Sequence, residues 1–296
     1  MKKYSIYPFI TLIAVLLYAC GGGGGSDASS SSSSSTTPAS TISLATPPGT
    51  TCINVTNTDV FGNMKFINPN TSGVTSWGCL IVNKSDNQPV IDGTQSARFE
   101  LRPGDCGANS TFNDCTNNRS RWELQETNYS ATQGQIITLN TNIFIPTQSN
   151  LYTSQTLNVD LTQINYIYNL LDGTLVSYGS LAALQMNKSG ALIIQTYSDL
   201  DGSFTRLNSY TVSSSPMNQW INIRYEIKST ASGDGYFKAF VNGTLLVNET
   251  SRSTLPSALA SNILRFGIYD VYQAGGKASE TQVVYFDGIS KQVSNY

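Results

Sequence analysis

The 296-residue chain contains no histidine. This absence excludes Ser-His-Asp and Cys-His catalysis, and it excludes metal sites built on imidazole ligands. Any general base must therefore be a tyrosine, lysine, arginine or carboxylate side chain. The sequence also lacks a Cys-x-x-Cys motif, which argues against a zinc site.

Charge is scarce as well. Charged residues make up 12% of the chain, with 17 basic and 19 acidic side chains. Loss of Lys2 and Lys3 with a cleaved leader would leave 15 basic residues and a net charge of about −4. Nothing in this balance points to nucleic acid. An anionic ligand would have to be bound by a local patch of basic residues, because the overall field of the protein is acidic.

The N-terminus has the pattern of an exported protein. Lys2 and Lys3 precede an apolar run from Phe9 to Leu17 that is too short for a stable membrane span. The sequence Leu17-Tyr-Ala-Cys20 resembles a bacterial lipobox, so we expect cleavage before Cys20 and acylation of that cysteine. An ordinary secretory signal is the alternative. Several acyl chains give stable anchoring, which predicts a bacterial outer-membrane lipoprotein facing the periplasm or the cell surface.

The segment after Cys20 is of low complexity, with glycine at 21–25 and serine at 29–35. Such a composition cannot bury a core, and we expect disorder to about Pro48. The predicted organisation is a lipoprotein signal peptide at 1–19, a lipidated linker at 20–48 and one folded domain at 49–296. That last length is enough for one large β domain.

Four cysteines remain beyond the lipid site: Cys52, Cys79, Cys106 and Cys115. In an exported chain disulfides are the default, and three pairings are possible. We favour Cys106–Cys115 and Cys52–Cys79 because both close local loops.

Two alternating segments flank the loop between Cys106 and Cys115. Alternate residues of a strand share a face, so each segment has one polar face. Those faces carry Arg98, Glu100 and Arg102 in the first segment, and Arg119, Arg121, Glu123 and Gln125 in the second. If the strands are adjacent, they present arginines and carboxylates on one surface. That surface is either a groove for an anionic polymer or a solvated sheet face with cross-strand ion pairs.

The rest of the folded part consists of short alternating runs separated by Gly, Asn, Asp and Ser. Asn242-Gly243 between two such runs indicates a hairpin. Long helical periodicity is absent, and one short helix is predicted at Leu255–Asn262. Many short strands in one unit predict an all-β fold, a concanavalin-like β-jelly roll made of two antiparallel sheets.

These segments resemble the jelly-roll polysaccharide lyases, most nearly the heparin lyase I and glucuronan lyase group and more distantly the alginate lyases. The resemblance covers about Ala97 to Lys291. The alginate lyase blocks read R-[ST]-E-L-R, Q-[IV]-H and a strand ending A-G-x-Y-x-Q. They are matched here by Arg121-Trp-Glu-Leu-Gln125, Gln163-Ile-Asn165 and Phe266-Gly-Ile-Tyr269, with Gln273 nearby. Asn165 stands where those lyases have histidine.

The resemblance implies a lyase that cleaves a uronic-acid polymer by β-elimination. This reaction needs a site that neutralises the substrate carboxylate, a base for the C5 proton and an acid for the leaving O4. Arg121, Gln163 and Asn165 are the implied carboxylate ligands, and Tyr269 is the implied base and acid. A free tyrosine has a pKa near 10 and needs a neighbouring cation to act as a base near neutral pH. The implied substrate-binding residues are Arg98, Arg102, Arg119, Glu123, Arg265, Gln273 and Lys277.

We therefore expect a monomer that binds an acidic polysaccharide, with no required cofactor. Calcium is compatible with the resemblance, since the heparin lyase I group is associated with it. Asparagine in place of histidine leaves tyrosine to perform both proton transfers in a syn elimination. The alternatives are a non-catalytic glycan-binding lipoprotein of the same fold and a β-sandwich adhesion protein. Arg121, Gln163 and Tyr269 on one sheet face would favour the lyase.

Overall fold

The computed structural model describes residues 42–52, 57–68, 75–108, 113–149, 151, 158–169, 175–198, 205–271 and 280–296. Their strands are β1 (Thr50–Thr51), β2 (Phe66–Ile67), β3 (Cys79–Asn83), β4 (Gln95–Leu101), β5 (Arg119–Glu126), β6 (Gln135–Phe144), β7 (Val159–Asn169), β8 (Leu175–Met186), β9 (Leu192–Ser198), β10 (Thr205–Ser213), β11 (Trp220–Ser229), β12 (Gly235–Val241), β13 (Thr244–Arg252), β14 (Ala260–Val271) and β15 (Gln282–Asn295). Helical structure in these ranges is the short helix α1 (Thr58–Phe61) and a 3-10 turn (Lys84–Asp86).

The strands form two antiparallel sheets. The first sheet has the order β1-β3-β4-β15-β6-β11-β12-β13, and the second has the order β10-β9-β8-β7-β14-β5-β2. In each sheet a late strand lies between earlier ones: β15 lies between β4 and β6, and β14 lies between β7 and β5. This confirms the predicted all-β, two-sheet jelly roll.

The core between the sheets follows from strict alternation. Along β11, Ile221, Ile223, Tyr225 and Ile227 are buried, while the residues between them are partly exposed. At the centre, the ring of Phe266 on β14 lies 5.4 Å from that of Phe99 on β4 and 5.3 Å from that of Phe286 on β15. These edge-on contacts join the two sheets by burying large apolar surfaces.

The two charged segments are not neighbouring strands, so the single surface considered for both does not exist. β4 lies in the first sheet between β3 and β15, whereas β5 lies in the second sheet between β14 and β2. Phe99 and Trp122 meet edge-on across the core, with ring centroids 6.5 Å apart. The polar faces of β4 and β5 therefore point away from each other. Alternation determines the faces of a strand, but it does not determine the sheet to which the strand belongs.

The favoured disulfide pairing is confirmed. Cys52–Cys79 ties the segment after β1 to the start of β3, and Cys106–Cys115 closes the loop that crosses between the sheets. The Cα–Cα distances are 5.3 and 5.2 Å, within the normal range for disulfides.

Residues 42–48, assigned above to the linker, contact the first sheet. Ile42 and Leu44 pack against an apolar cluster on its outer face, and Arg98 donates a hydrogen bond to the Leu44 carbonyl. The cluster consists of Leu80, Val82, Phe144, Val283 and Tyr285. The predicted linker extent is therefore too long by these residues. Cys20 lies outside the described residues.

The helix predicted at Leu255–Asn262 is absent from the structure. This range holds bends and a turn, followed by the start of β14 at Ala260. Among the described residues, no helix is long and apolar enough to cross a membrane.

Gly267 lies at an irregularity in β14 that shapes the surface of the second sheet. Its φ is +141°, and an added Cβ would lie 2.2 Å from the Trp122 carbonyl oxygen and 2.8 Å from the Glu123 Cα. The pairing of β14 with β7 shifts register between Phe266 and Tyr269 at this point. A side chain here would push β14 away from β5.

We expect Gly267→Ala to lower the free energy of unfolding by about 3 kcal/mol, from backbone strain and from overpacking. Denaturant titration followed by fluorescence measures this loss. Gly104 is the matched control, because its φ is +91° but an added Cβ would meet nothing within 4 Å. Gly104→Ala should cost about 1 kcal/mol. Equal losses in the two variants would contradict the steric explanation.

Candidate active site

The outward face of the second sheet carries polar side chains from three neighbouring strands, β7, β14 and β5. They are Arg119, Arg121 and Glu123 on β5, Arg265 and Tyr269 on β14, and Gln163 and Asn165 on β7. Their chain neighbours, among them Trp122, Ile164 and Phe266, point into the core. This is the alternation of a strand with one face toward the core.

Five of these polar side chains are nearly buried although they point away from the core, and Arg119 and Arg265 are partly exposed. Arg121 is 8% exposed, Gln163 is 6% exposed and Tyr269 is 9% exposed. A solvated sheet face would leave its charged groups open to water. The face is therefore a set of packed polar groups, and the solvated-face alternative does not describe it. We name Arg119, Arg121, Glu123, Gln163, Asn165, Arg265 and Tyr269 the polar cluster.

The strand register places the polar cluster in adjacent rows. Tyr269 pairs with Arg121 on one side and with Asp160 on the other. Arg265 pairs with Gln163 on β7. Side chains at paired positions of neighbouring strands have Cβ atoms about 5 Å apart. Arg121, Gln163 and Tyr269 thus lie together on one face of one sheet, which is the arrangement that favours the lyase.

The Arg121 guanidinium is held in place by an acidic side chain from the disulfide-closed loop. Its Nε and Nη2 donate to the two carboxylate oxygens of Asp114 over 2.5 and 2.9 Å. Burial opposes the positive charge, but Glu123 and Asp114 outweigh it, and the pKa of Arg121 is raised above its usual value. The guanidinium carbon lies 4.0 Å from the centre of the Tyr269 ring, a cation–π distance.

The two amides of β7 are held by neighbouring side chains. Gln163 Nε2 donates to Glu123 over 2.8 Å. The side-chain oxygen of Asn165 accepts a hydrogen bond from the Ser180 hydroxyl over 2.7 Å, which leaves its amide nitrogen available as a donor. Burial raises the pKa of Glu123, with Arg121 and Arg265 opposing. Burial also lowers the pKa of Arg265, an effect that Glu123 opposes.

Tyr269 has the cationic neighbours that were expected, but its pKa is not lowered. Arg119 donates to the phenol oxygen over 2.8 Å. Burial raises the pKa of Tyr269 to about 12, and Arg121 and Arg119 oppose this only in part. The phenol is therefore protonated at neutral pH. The two guanidinium groups lie where they would stabilise a phenolate once it forms.

Two of the expected substrate-binding residues lie elsewhere. Arg98 and Arg102 are on the outer face of the first sheet, where both pair with Glu100. Arg98 is fully buried there, and the Arg102 guanidinium lies 4.0 Å from the centre of the Trp77 ring. They belong to a structural ion-pair group under the N-terminal segment, apart from the polar cluster.

Gln273 and Lys277, also expected to bind substrate, fall outside the described residues. In the part of the chain that the structure describes, no group of three or more acidic or cysteine side chains could hold a metal ion. Calcium stays a prediction.

Sequence reasoning missed Asp114 and Asp160. Asp114 lies between Cys106 and Cys115 in a polar loop. It reaches Arg121 because this loop carries the chain from the first sheet to the second. Asp160 is three residues before Gln163, so plain alternation would point it into the core. A register shift between Asp160 and Thr162 in the pairing with β8 places it on the outward face instead.

The family comparison identifies the class of protein to which this jelly roll belongs. The family model described as polysaccharide lyase matches residues 79–290. The chain therefore belongs to the polysaccharide lyase family. A search of curated proteins found no match.

Two solved structures are similar in fold. An endo-β-1,4-glucuronan lyase from the fungus Trichoderma reesei is 14% identical with a TM-score of 0.51, over 79% of this chain and 92% of that one. A family 7 alginate lyase variant in complex with substrate is 17% identical with a TM-score of 0.51, over 75% of this chain and 84% of that one. The resemblance inferred from the sequence is confirmed, and at these identities the structural likeness concerns the fold.

Proposed function

We propose that the protein cleaves a polysaccharide containing uronic acid by β-elimination. The observation that carries this proposal is the meeting of Arg121, Gln163, Asn165 and Tyr269 on one nearly buried sheet face. Membership of the polysaccharide lyase family supports it. Similar solved structures are named as a glucuronan lyase and an alginate lyase, and both names refer to polymers of uronic acids.

The first task is to stabilise the negative charge that develops on the substrate carboxylate. Arg121 carries a positive charge held in a fixed orientation by Asp114. Gln163 and Asn165 present amide donors from the neighbouring strand, and Glu123 and Ser180 fix their orientation. Donors fixed before reaction stabilise an enolate-like state without reorganising during the reaction.

The second task is proton transfer. The Tyr269 phenolate takes the C5 proton, the C5–H electron pair forms the C4–C5 double bond, and the C4–O4 bond breaks. The phenol then gives the same proton to the leaving O4, which makes this a syn elimination. Arg119 and Arg121 stabilise the phenolate. Since the pKa of free Tyr269 is about 12, kcat should rise with pH above neutrality.

We also propose that the protein works as a monomer anchored to the bacterial outer membrane through an acylated Cys20, facing the periplasm or the cell surface. The lipobox-like sequence and the glycine- and serine-rich segment support this. Such a tether leaves the domain free to act on a large polymer outside the cell.

The test is incubation of the purified protein with polyglucuronate, polymannuronate, polyguluronate and heparin, followed by ultraviolet absorbance of the unsaturated product. The lyase proposal expects a rise on at least one polymer. Absence of product on all of them, with binding to one still measurable, would instead establish a glycan-binding protein. The protonated state of Tyr269 and the replacement of histidine by Asn165 are the observations that favour this second candidate.

A further inference from the structure

Asp160 occupies a position beside the proposed reaction centre that the mechanism above does not use. It pairs with Tyr269 across β7 and β14, and with Gln185 across β7 and β8. A row of paired positions therefore runs from Arg121 through Tyr269 and Asp160 to Gln185. Asp160 is partly exposed on this outward face, so a polymer lying across the polar cluster would reach it.

One oxygen of the Asp160 carboxyl is fixed and the other is open. Gln185 Nε2 donates to Asp160 Oδ1 over 2.5 Å and to the Tyr197 hydroxyl over 2.8 Å. The side-chain oxygen of Gln185 accepts from Asn158 over 2.7 Å. Gln185 thus has all its polar atoms engaged and holds the Asp160 carboxyl in one orientation. Asp160 Oδ2 has no hydrogen-bond partner within the described ranges.

The surroundings of Asp160 favour its neutral form. Burial raises the pKa of Asp160 to about 7; the hydrogen bond from Gln185 opposes this, and the charge of Glu123 adds to it. Arg121 on β5 and Arg206 on β10 also oppose the rise. Tyr269 on β14 and Tyr197 on β9 face the same carboxyl, and burial raises the pKa of each, so both are neutral near pH 7.

The charge of Asp160 changes the local field. The positive charges of Arg119, Arg121, Arg206 and Arg265 exceed the negative charges of two carboxylates, Asp114 and Glu123. An ionised Asp160 would be a third carboxylate and would reduce that excess. A neutral Asp160 preserves the excess and adds a hydroxyl donor, and both effects favour an anionic polymer.

We propose that Asp160 is a substrate-binding residue that binds the uronate polymer in its protonated form, through a hydrogen bond from Oδ2 to a polymer oxygen, and repels it when ionised. This inference rests on the proposed function, since it takes the same groove and the same class of polymer. It adds a residue, and a pH range for binding, to that function.

Calorimetric titration of the Tyr269→Phe protein with polymannuronate and polyglucuronate tests the proposal, because this background removes turnover. We expect the Kd to rise about 10- to 30-fold between about pH 6 and about pH 8.5, as the carboxyl ionises above a pKa of about 7. Asp160→Asn in the same background keeps a neutral donor, and its Kd should change by less than about 2-fold over this range.

Asp92→Asn is the control, because Asp92 is an exposed carboxyl in the loop before β4 of the first sheet. It should keep the full pH dependence of its parent.

Thermal unfolding gives a readout that needs no polymer. A raised native pKa means that the folded state binds more protons than the unfolded state between about pH 4 and about pH 7, so stability falls as pH rises through that window. Asp160→Asn lacks this loss. Its Tm should equal that of the wild type at about pH 4 and exceed it at about pH 8.5.

The outcomes separate this inference from the proposed function. A pH-independent Kd in the parent, no polymer binding at all, or a pH dependence that survives Asp160→Asn would each overturn the role of Asp160. A kcat about 1000-fold lower in Asp160→Asn with KM unchanged would make it a proton-transfer group instead. Binding that depends on Asp160, in a wild-type protein that forms no unsaturated product, would uphold this inference and reject the lyase.

Discussion

Tyr269→Phe is expected to lower kcat about 1000-fold on any polymer that the wild type cleaves, because the phenol oxygen is the proposed carrier of the C5 proton. The polymer Kd should change by less than about 3-fold, since the ring keeps its packing against Arg121, whose guanidinium carbon lies 4.0 Å from the ring centre. Initial rates from product absorbance and a Kd from calorimetry measure the two effects separately.

Tyr236 supplies a matched control for this substitution. Its pKa is also raised to about 12, by burial and by Glu226, but it lies on β12 of the first sheet. Tyr236→Phe should leave kcat unchanged. A Tyr269→Phe protein that keeps more than about a tenth of wild-type kcat would exclude the tyrosine mechanism.

The dependence of wild-type kcat on pH should also show that Tyr269 transfers the proton. Below a pKa of about 12, the phenolate fraction of Tyr269 grows about tenfold per pH unit. We therefore expect kcat to increase steadily from pH 7 upward, and the increase should be absent from the residual activity of Tyr269→Phe. Because Asp160 is expected to weaken binding over the same range, kcat/KM should rise less steeply than kcat.

The faces of the strands could be predicted from the sequence. Alternation in β5 put Arg121 and Glu123 on one face and Trp122 on the other, and the structure agrees. The resemblance to the lyases then identified the segments that form β7 and β14. The register of these two strands brings Gln163 and Tyr269 beside Arg121. Local pattern is enough here because each of these strands has one face packed against the core.

The assignment of strands to sheets could not be predicted in the same way. Arg98 and Arg121 share the same local pattern, but the loop closed by Cys106–Cys115 carries the chain from one sheet to the other. That loop also supplies Asp114, the partner of Arg121. Strand order is set by packing between segments that are distant in sequence. A periodicity of two residues reports which face of a strand a side chain occupies, but not which strands lie next to each other.

Asp160 was missed for a related reason. Its offset of three residues from Gln163 would place it in the core of a regular strand. The register shift in β7 reverses its direction, and the register shift in β14 sets Tyr269 opposite it. Bulges of this kind re-aim side chains and occur often beside active sites. The second irregularity lies at Gly267, where an added Cβ would push β14 away from β5.

Asp114→Asn is expected to lower the free energy of unfolding by about 3 kcal/mol, because it removes the carboxylate that accepts two hydrogen bonds from the buried Arg121. Arg121 is 8% exposed and Asp114 is 1% exposed, so water cannot replace the lost carboxylate. Denaturant titration measures the loss. The surface pair of Arg224 and Glu226, 3.3 Å apart and more exposed, is the comparison, and Glu226→Gln should cost less than about 1 kcal/mol.

Adding Arg121→Met to Asp114→Asn distinguishes the effect of the Arg121–Asp114 pair on folding stability from its effect on catalysis. The double variant also removes the guanidinium that has lost its Asp114 partner, and it should regain much of the lost stability. Its activity should stay at least about 100-fold below wild type, because no guanidinium is left to stabilise the substrate carboxylate and the Tyr269 phenolate. Recovery of both properties would show that the Arg121–Asp114 pair serves only the fold. Recovery of stability alone would mean that the disulfide-closed loop holds a buried charge in place for catalysis, at a cost to the fold that an apolar residue would avoid.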